Sequence, residues 1–194
     1  MKRFATLVFV TVFAGACAAT QGPRSSVGDK LYEAVAGNAV AVVDSSSRAT
    51  DRRLTLGVPS ADWKHLYSIS GGALIDTDPL TGAVLGSMQL GAGFRLPPAT
   101  ASGVPGGLSP DGHWLVVESG DQRSTHMRMI DTTTLTVFRR IDLAGDFEFD
   151  AVDDTGANLY LIQRLNGREY YVRLYDVASG TLTDNIVVDK SDGN

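Results

Sequence analysis

Ser109-Pro110-Asp111-Gly112, running directly into His113-Trp114-Leu115-Val116-Val117, is the stretch on which the reading of this chain turns. Pro presets φ, Asp hydrogen-bonds backbone two residues on, and Gly supplies a positive φ, so a tight reversal ends where an apolar strand begins. A second apolar run closes at Met129-Ile130-Asp131, and a third spans Val137 to Leu143. The same order returns downstream. Val152-Asp153-Asp154-Thr155-Gly156 precedes Leu159-Tyr160, then Leu174-Tyr175-Asp176, the turn Asp176-Val177-Ala178-Ser179-Gly180, and Asn185 to Val188. Upstream, Ser60-Ala61-Asp62-Trp63 is a degenerate copy of the first turn. It leads to Leu66-Tyr67, to Leu74-Ile75-Asp76, to the turn Asp78-Pro79-Leu80-Thr81-Gly82, and to Val84 to Leu90. Leu31-Tyr32, Val42-Val43-Asp44 and Arg53 to Leu56 form a first unit with no strand ahead of it. The opening leucines are 35, 49 and 44 residues apart. A repeat of this length, built of short strands and turns, is the mark of a repeated β-unit. No segment after Thr20 sustains a 3.6-residue period with caps, so helix is minor.

Ser109-Pro110-Asp111-Gly112, Trp114 to Val117 and Met129-Ile130-Asp131 together resemble one blade of the YVTN or WD-like β-propeller families. Asp154 to Gly180 resembles the next, with Thr155-Gly156 standing for Asp111-Gly112. The resemblance covers Gly28 to Val188. It implies an all-β fold of four-stranded antiparallel blades arranged radially, with binding at the faces around the central channel. Four blade equivalents are present, whereas propellers of this resemblance usually close with six to eight. The expectation is therefore an incomplete propeller: part of a longer one, or one completed by oligomerising, with a closed four-bladed ring as the third possibility.

The chain of 194 residues is 43% hydrophobic and 20% charged, a globular balance that excludes wholesale disorder. Its net charge of -5, with no cluster of Lys and Arg, gives no electrostatic footprint for nucleic acid. Met1-Lys2-Arg3 followed by uncharged Phe4 to Gly15 has the form of a secretory signal. That run is too short to cross a hydrocarbon core about 30 Å thick as a helix. Ala14-Gly15-Ala16-Cys17 offers an A-x-A cleavage site, and it also resembles a bacterial lipobox whose Cys becomes the lipidated first residue. Ala14 stands where such a box usually has Leu. We expect residues 1–16 to be a signal peptide, Cys17 the lipidation site, residues 17–27 a flexible tether and residues 28–194 the propeller domain, with plain secretion as the alternative.

Catalytic signatures are absent: the chain has no G-x-S-x-G, H-E-x-x-H or Walker A motif, and Gly91-Ala92-Gly93 opens no helix. One Cys excludes a disulfide framework and a Cys-rich metal site. His65 and His113 flank the inner turns one alignment position apart, so they form no repeated ring; these and His126 read as surface or half-buried side chains. Asp146 to Asp150 alternates with Phe147 and Phe149 as a strand with one wet face, and a calcium site there is the minor reading. Asp76-Thr77-Asp78 reads as a turn, and Asp121-Gln122-Arg123-Ser124 as a hairpin tip. Trp63, Trp114, Tyr67 and Tyr160 fall at strand positions where aromatics pack blade on blade. Gly91 to Gly107 reads as an inter-blade connection holding one inner strand. The sequence thus assigns no catalytic, cofactor-binding or metal-binding residue. It points to an exported, lipid-anchored, non-catalytic scaffold for a protein, glycan or small ligand. The alternative is a propeller-based enzyme such as a lactonase-like hydrolase or a quinone-dependent dehydrogenase.

Overall fold

The computed structural model describes residues 29–98, 106–166 and 168–191, and every regular element among them is a strand. Cys17 and the residues expected to form a signal segment and a tether lie outside the described residues. The first blade holds β1 (Lys30–Val35), β2 (Ala39–Asp44) and β3 (Thr50–Thr55). The second holds β4 (Gly57–Pro59), β5 (Leu66–Ser70), β6 (Ala73–Thr77) and β7 (Val84–Gln89). The third holds β8 (Trp114–Gly120), β9 (Ser124–Asp131) and β10 (Thr136–Ala144), and the fourth β11 (Phe147–Val152), β12 (Asn158–Arg164), β13 (Tyr170–Asp176) and β14 (Thr181–Lys190). Each sheet is an antiparallel meander in chain order, and the sheets do not close into a ring.

Two blades carry all four strands within one sheet, and the first has three. In the third, the inner place beside β8 is filled in two pieces. Arg95 bridges Glu118, Leu108 bridges Leu115, and Gly106 N–H donates to Pro97 C=O at 2.9 Å. Among the described residues, the inner strand expected between Gly91 and Gly107 is present as these two separate bridges.

The strand registers fix which residues are equivalent. Lys30 pairs with Asp44, Trp114 with Asp131 and Asn158 with Asp176. In the second blade Leu66 pairs with Thr77, so the matching Asp is Asp78. All four open a five-residue turn whose last residue has positive φ: Arg48 (57°), Gly82 (76°), Leu135 (49°) and Gly180 (73°). Each carboxylate accepts turn N–H groups, as Asp78 does from Leu80 (2.8 Å) and Asp131 from Thr133 (2.8 Å). All four carboxyls lie below the usual range. The Thr81 and Thr133 hydroxyls lead at Asp78 and Asp131, the Ser179 backbone at Asp176, and Lys30 at Asp44. This corrects the expectation for the second unit. Its strand does not end at Asp76, and Asp76 is no turn residue; it lies inside β6 where the other blades place Val42, Met129 and Leu174.

The strands of the third blade are apolar on both sides because that blade is sandwiched between its neighbours. Leu115, Val117 and Ile130 face Val58, Tyr67 and Leu74 of the second blade. Val116, Met127, Met129 and Ile141, on the other side of the same sheet, face Phe147, Leu159, Leu161 and Tyr175 of the fourth. At the seam between the first two blades Val42 and Leu66 are buried, Tyr32 stacks on Trp63 with ring centroids 4.3 Å apart, and the Arg52 guanidinium reaches Leu80 C=O. Trp63 is not on a strand as expected. It sits in the inner turn at φ 57°, the place Gly112 and Gly156 take in the next two blades.

A polar cleft between the second and third blades

The inner turns repeat closely enough for the seams to be compared atom by atom. The Ser60 hydroxyl binds Asp62 (2.7 Å) and accepts from His65 N–H (3.1 Å); Ser109 does the same with Asp111 (2.6 Å) and Trp114 N–H (2.9 Å). His65 is therefore the equivalent of Trp114, as Asp76 is of Met129. In the seam between the third and fourth blades, Trp114 and Met129 press on Gly156. A Cβ built there would lie 2.5 Å from Trp114 Nε1 and 2.7 Å from Met129 Cε. In the preceding seam the pair is His65 and Asp76, and a Cβ on the matching Gly112 would meet nothing within 4 Å. The space that an indole and a thioether fill in one seam is a polar cleft of about 810 Å³ in the other. His65, Tyr67, Asp76, Asp111, His113 and Thr132 line it.

Asp76 is 4% exposed, and its two carboxylate oxygens lie 2.9 and 3.1 Å from His65 Nδ1. Burial raises its pKa, and the hydrogen bond and charge of His65 pull it partly back. Tyr67, whose ring is parallel to the His65 ring at 5.9 Å, is pushed up to about 12. Burial is the main cause and the Asp76 charge adds to it, while a Thr132 hydrogen bond acts the other way. The Thr132 hydroxyl reaches the carbonyls of Gly112 (2.8 Å) and His113 (2.9 Å). At the rim His113 Nε2 is 3.6 Å from Asp131, and Asp62 and Asp111 are held ionised by the Ser60 and Ser109 hydroxyls first of all. The wall therefore offers carboxylates, a phenol, a hydroxyl and an imidazole fixed through Nδ1. Such a surface suits a ligand that donates hydrogen bonds.

The opposite face holds a second buried acid. Glu118, 1% exposed on β8, accepts from the Arg95 guanidinium (2.9 Å) and from Phe149 N–H (3.1 Å) on the inner strand of the fourth blade. It clamps the chain at Arg95 to the next blade. The remaining candidate residues lie apart from the cleft. His126 pairs with Asp142 at 2.7 Å, Glu148 with Arg164 at 2.7 Å, and Asp121 caps its hairpin by accepting from Arg123 and Ser124 N–H. Asp146 to Asp150 leads into and forms β11, and Asp153 caps the following turn through Ala157 N–H (2.9 Å). Among the described residues no three His, Cys, Asp or Glu side chains gather as metal ligands.

Sequence reasoning passed over Asp76 because Asp76 and Asp78 compete for one alignment slot. The five-residue turn could have decided between them: only Asp78 stands four residues before the Gly, as Asp176 does.

The chain is similar to a solved structure of hydrazine synthase from Kuenenia stuttgartiensis, with 18% identity over 84% of this chain and 47% of that one, and a TM-score of 0.54. This likeness shows the fold. The chain is a β-propeller segment. It is also similar to TolB from Acinetobacter baumannii, at 17% identity over 75% of this chain and 36% of that one, with a TM-score of 0.45. A third likeness is to the dihydro-heme d1 dehydrogenase NirN in complex with DHE, at 17% identity over 83% and 36%, with a TM-score of 0.48. The propeller segment thus spans less than half the length of each of these chains. No protein-family model and no curated protein matches it.

Proposed function

We propose that this propeller is an exported, non-catalytic binding scaffold, held to a membrane by lipid at Cys17, and that its ligand enters the cleft between the second and third blades. The ligand class that suits the wall is a glycan, a small polar molecule or a protein segment presenting hydroxyl or amine donors. One observation carries the reading: at two equivalent repeat positions Trp114 and Met129 are exchanged for His65 and Asp76, and the space they would fill stays open. A buried carboxylate costs stability where an apolar side chain would add it, so its presence in a core slot is what a binding role would account for. The test is a glycan array together with a set of amine-bearing small molecules, run on the wild type and on a plugged variant, His65→Trp with Asp76→Met. Ligands lost on plugging support the reading; ligands held equally by both proteins refute it. Tethering is checked separately by incorporation of an alkyne fatty acid, which should vanish in Cys17→Ser.

A second reading, hydrolysis, is favoured by the Asp76–His65 pair. A buried carboxylate that orients an imidazole through Nδ1 leaves Nε2 to act as a general base toward the cleft. Turnover of chromogenic esters or lactones that is abolished in His65→Gln would replace the binding reading with this one.

A further inference from the structure

We propose that Trp63 is a stacking platform for one ring of a neutral oligosaccharide whose next ring lies in the cleft between the second and third blades. This rests on the reading of that cleft as a binding site and narrows its ligand to one class. Three seams can be compared at the same positions. Trp114 and Met129 close on Gly156 in one, and His65 and Asp76 stand open before Gly112 in the next. Between the first and second blades the equivalents are Lys30 and Val42, and the place of Gly112 is held by Trp63. Trp63 N–H donates to Ser60 C=O (3.0 Å), as Gly112 N–H does to Ser109 C=O (2.9 Å). At φ 57° Trp63 occupies a backbone region that bulky side chains avoid and that costs Gly nothing. Outliers of this kind collect at ligand clamps.

The indole does not seal its seam. Tyr32 covers one face, with 22° between the ring planes, yet Trp63 remains 42% exposed. It borders a recess of about 660 Å³ together with Tyr32, Lys30, Asp62, Asp78 and Leu80. Asp62, His65 and Leu85 line both this recess and the cleft, so the two run together as one groove. The charges at the junction are already paired within the chain, Asp62 with Lys64 at 3.0 Å and Asp76 with His65 at 2.9 Å. Lys30 is likewise held by Asp44 (2.8 Å) and Asp51 (2.6 Å). A charged ligand would have to compete with these pairs, and an uncharged one would not. The carboxylates keep acceptor sites for hydroxyl donors, because each can take about four hydrogen bonds. A pyranose ring matches such a wall: one face of C–H groups lies on an indole, and a rim of hydroxyls donates to the carboxylates. One ring cannot fill both recesses, so the ligand has two or more.

The experiment probes an array of neutral sugars, from single rings to longer oligomers, with the full chain, with Trp63→Gly, with Trp63→Tyr and with the plugged variant His65→Trp plus Asp76→Met. The sugar bound best is then titrated by calorimetry and by tryptophan emission. The wild type should prefer sugars of two or more rings. Trp63→Gly, which carries the residue of the sister turns, should weaken binding by about tenfold, Trp63→Tyr should keep most of it, and plugging should abolish it. Saturating sugar should shift the wild-type emission, and the shift should be missing in Trp63→Gly, which keeps Trp114. Should Trp63→Gly fail to fold, Trp114→Phe decides instead, because Trp63 is then the single tryptophan of the chain. No emission shift in that variant overturns the platform. Sugar binding lost on plugging but unmoved in Trp63→Gly also overturns the platform and leaves the cleft reading standing. Sugar binding unmoved by plugging overturns both. An array on which no sugar binds overturns the proposal and passes the cleft to amines or peptides.

Discussion

Copying the third blade into the second at one position, Asp76→Met, should stabilise the protein. The wild-type carboxylate is 4% exposed in a slot whose equivalents are Met129 and Val42, and burial holds its pKa above the ordinary carboxylate value of 3.8. The sign follows: a carboxyl whose folded pKa is raised costs stability as pH rises from 3.8 through the folded value, and costs nothing below 3.8. Replacing a buried ion pair by apolar groups gains about 1–4 kcal/mol. Here His65 remains half-exposed and can be rehydrated, so about 1 kcal/mol is the charge share. Burying the Met side chain contributes about 1.5 kcal/mol at the low end of its range, because the cleft around it stays partly open. The sum, about 2.5 kcal/mol, corresponds to a rise of about 5–10 °C in melting temperature for a domain of this size. The assay is thermal unfolding by circular dichroism from about pH 3 to pH 8 on both proteins, using reference pKa values to set the range. The gap should be widest at neutral pH and narrow toward pH 3, where the apolar share remains. A variant that melts below the wild type at neutral pH would refute the reasoning, since it would make Asp76 a structural anchor. A gap that ignores pH would refute the charge share.

Leu159→Asp places a charge in the seam between the third and fourth blades, where the wild-type side chain is 0% exposed, and should abolish cooperative unfolding as followed by circular dichroism. Glu118→Ala leaves the Phe149 N–H without its acceptor and opens a gap beside Arg95; a loss of about 2–3 kcal/mol is expected in urea unfolding, with a smaller loss for Glu118→Gln. Arg48→Gly should stabilise by about 1 kcal/mol, because Arg48 is exposed at φ 57° where Gly82 and Gly180 serve in sister turns. The matching change Leu135→Gly should not, because the Leu135 side chain packs on the core shared by the second and third blades.

Turn chemistry made most of the architecture legible. The Asp-x-x-x-Gly and Ser-Pro-Asp-Gly segments place reversals that only antiparallel neighbours can use, and the apolar runs between them are too short for helices. The strands around Leu31, Leu66, Leu115 and Leu159 lie where their pattern puts them. The cleft was not legible, for a physical reason. Its chemistry comes from what is missing at Gly112, an absence visible only beside the filled seam at Gly156. Glu118 escaped for the opposite reason. Following Leu115, Val116 and Val117 on a strand buried on both sides, a carboxylate looks like the wet end of that strand, and only the fold brings Arg95 and Phe149 N–H to it.

The three seams differ in kind, and that sets an order of events in time. The last is apolar, the middle one is split by a polar gap, and the first buries Val42 and Leu66 beside one aromatic stack and an arginine that reaches across. Because each blade is a local meander that touches only its neighbours, unfolding should advance blade by blade from the amino-terminal side. Amide hydrogens of β1 to β3 would then exchange with solvent first, and those of β8, β9 and β12 last. Ligand seated in the middle seam would slow exchange on both sides of it, so occupancy of the cleft would lengthen the working life of the whole array.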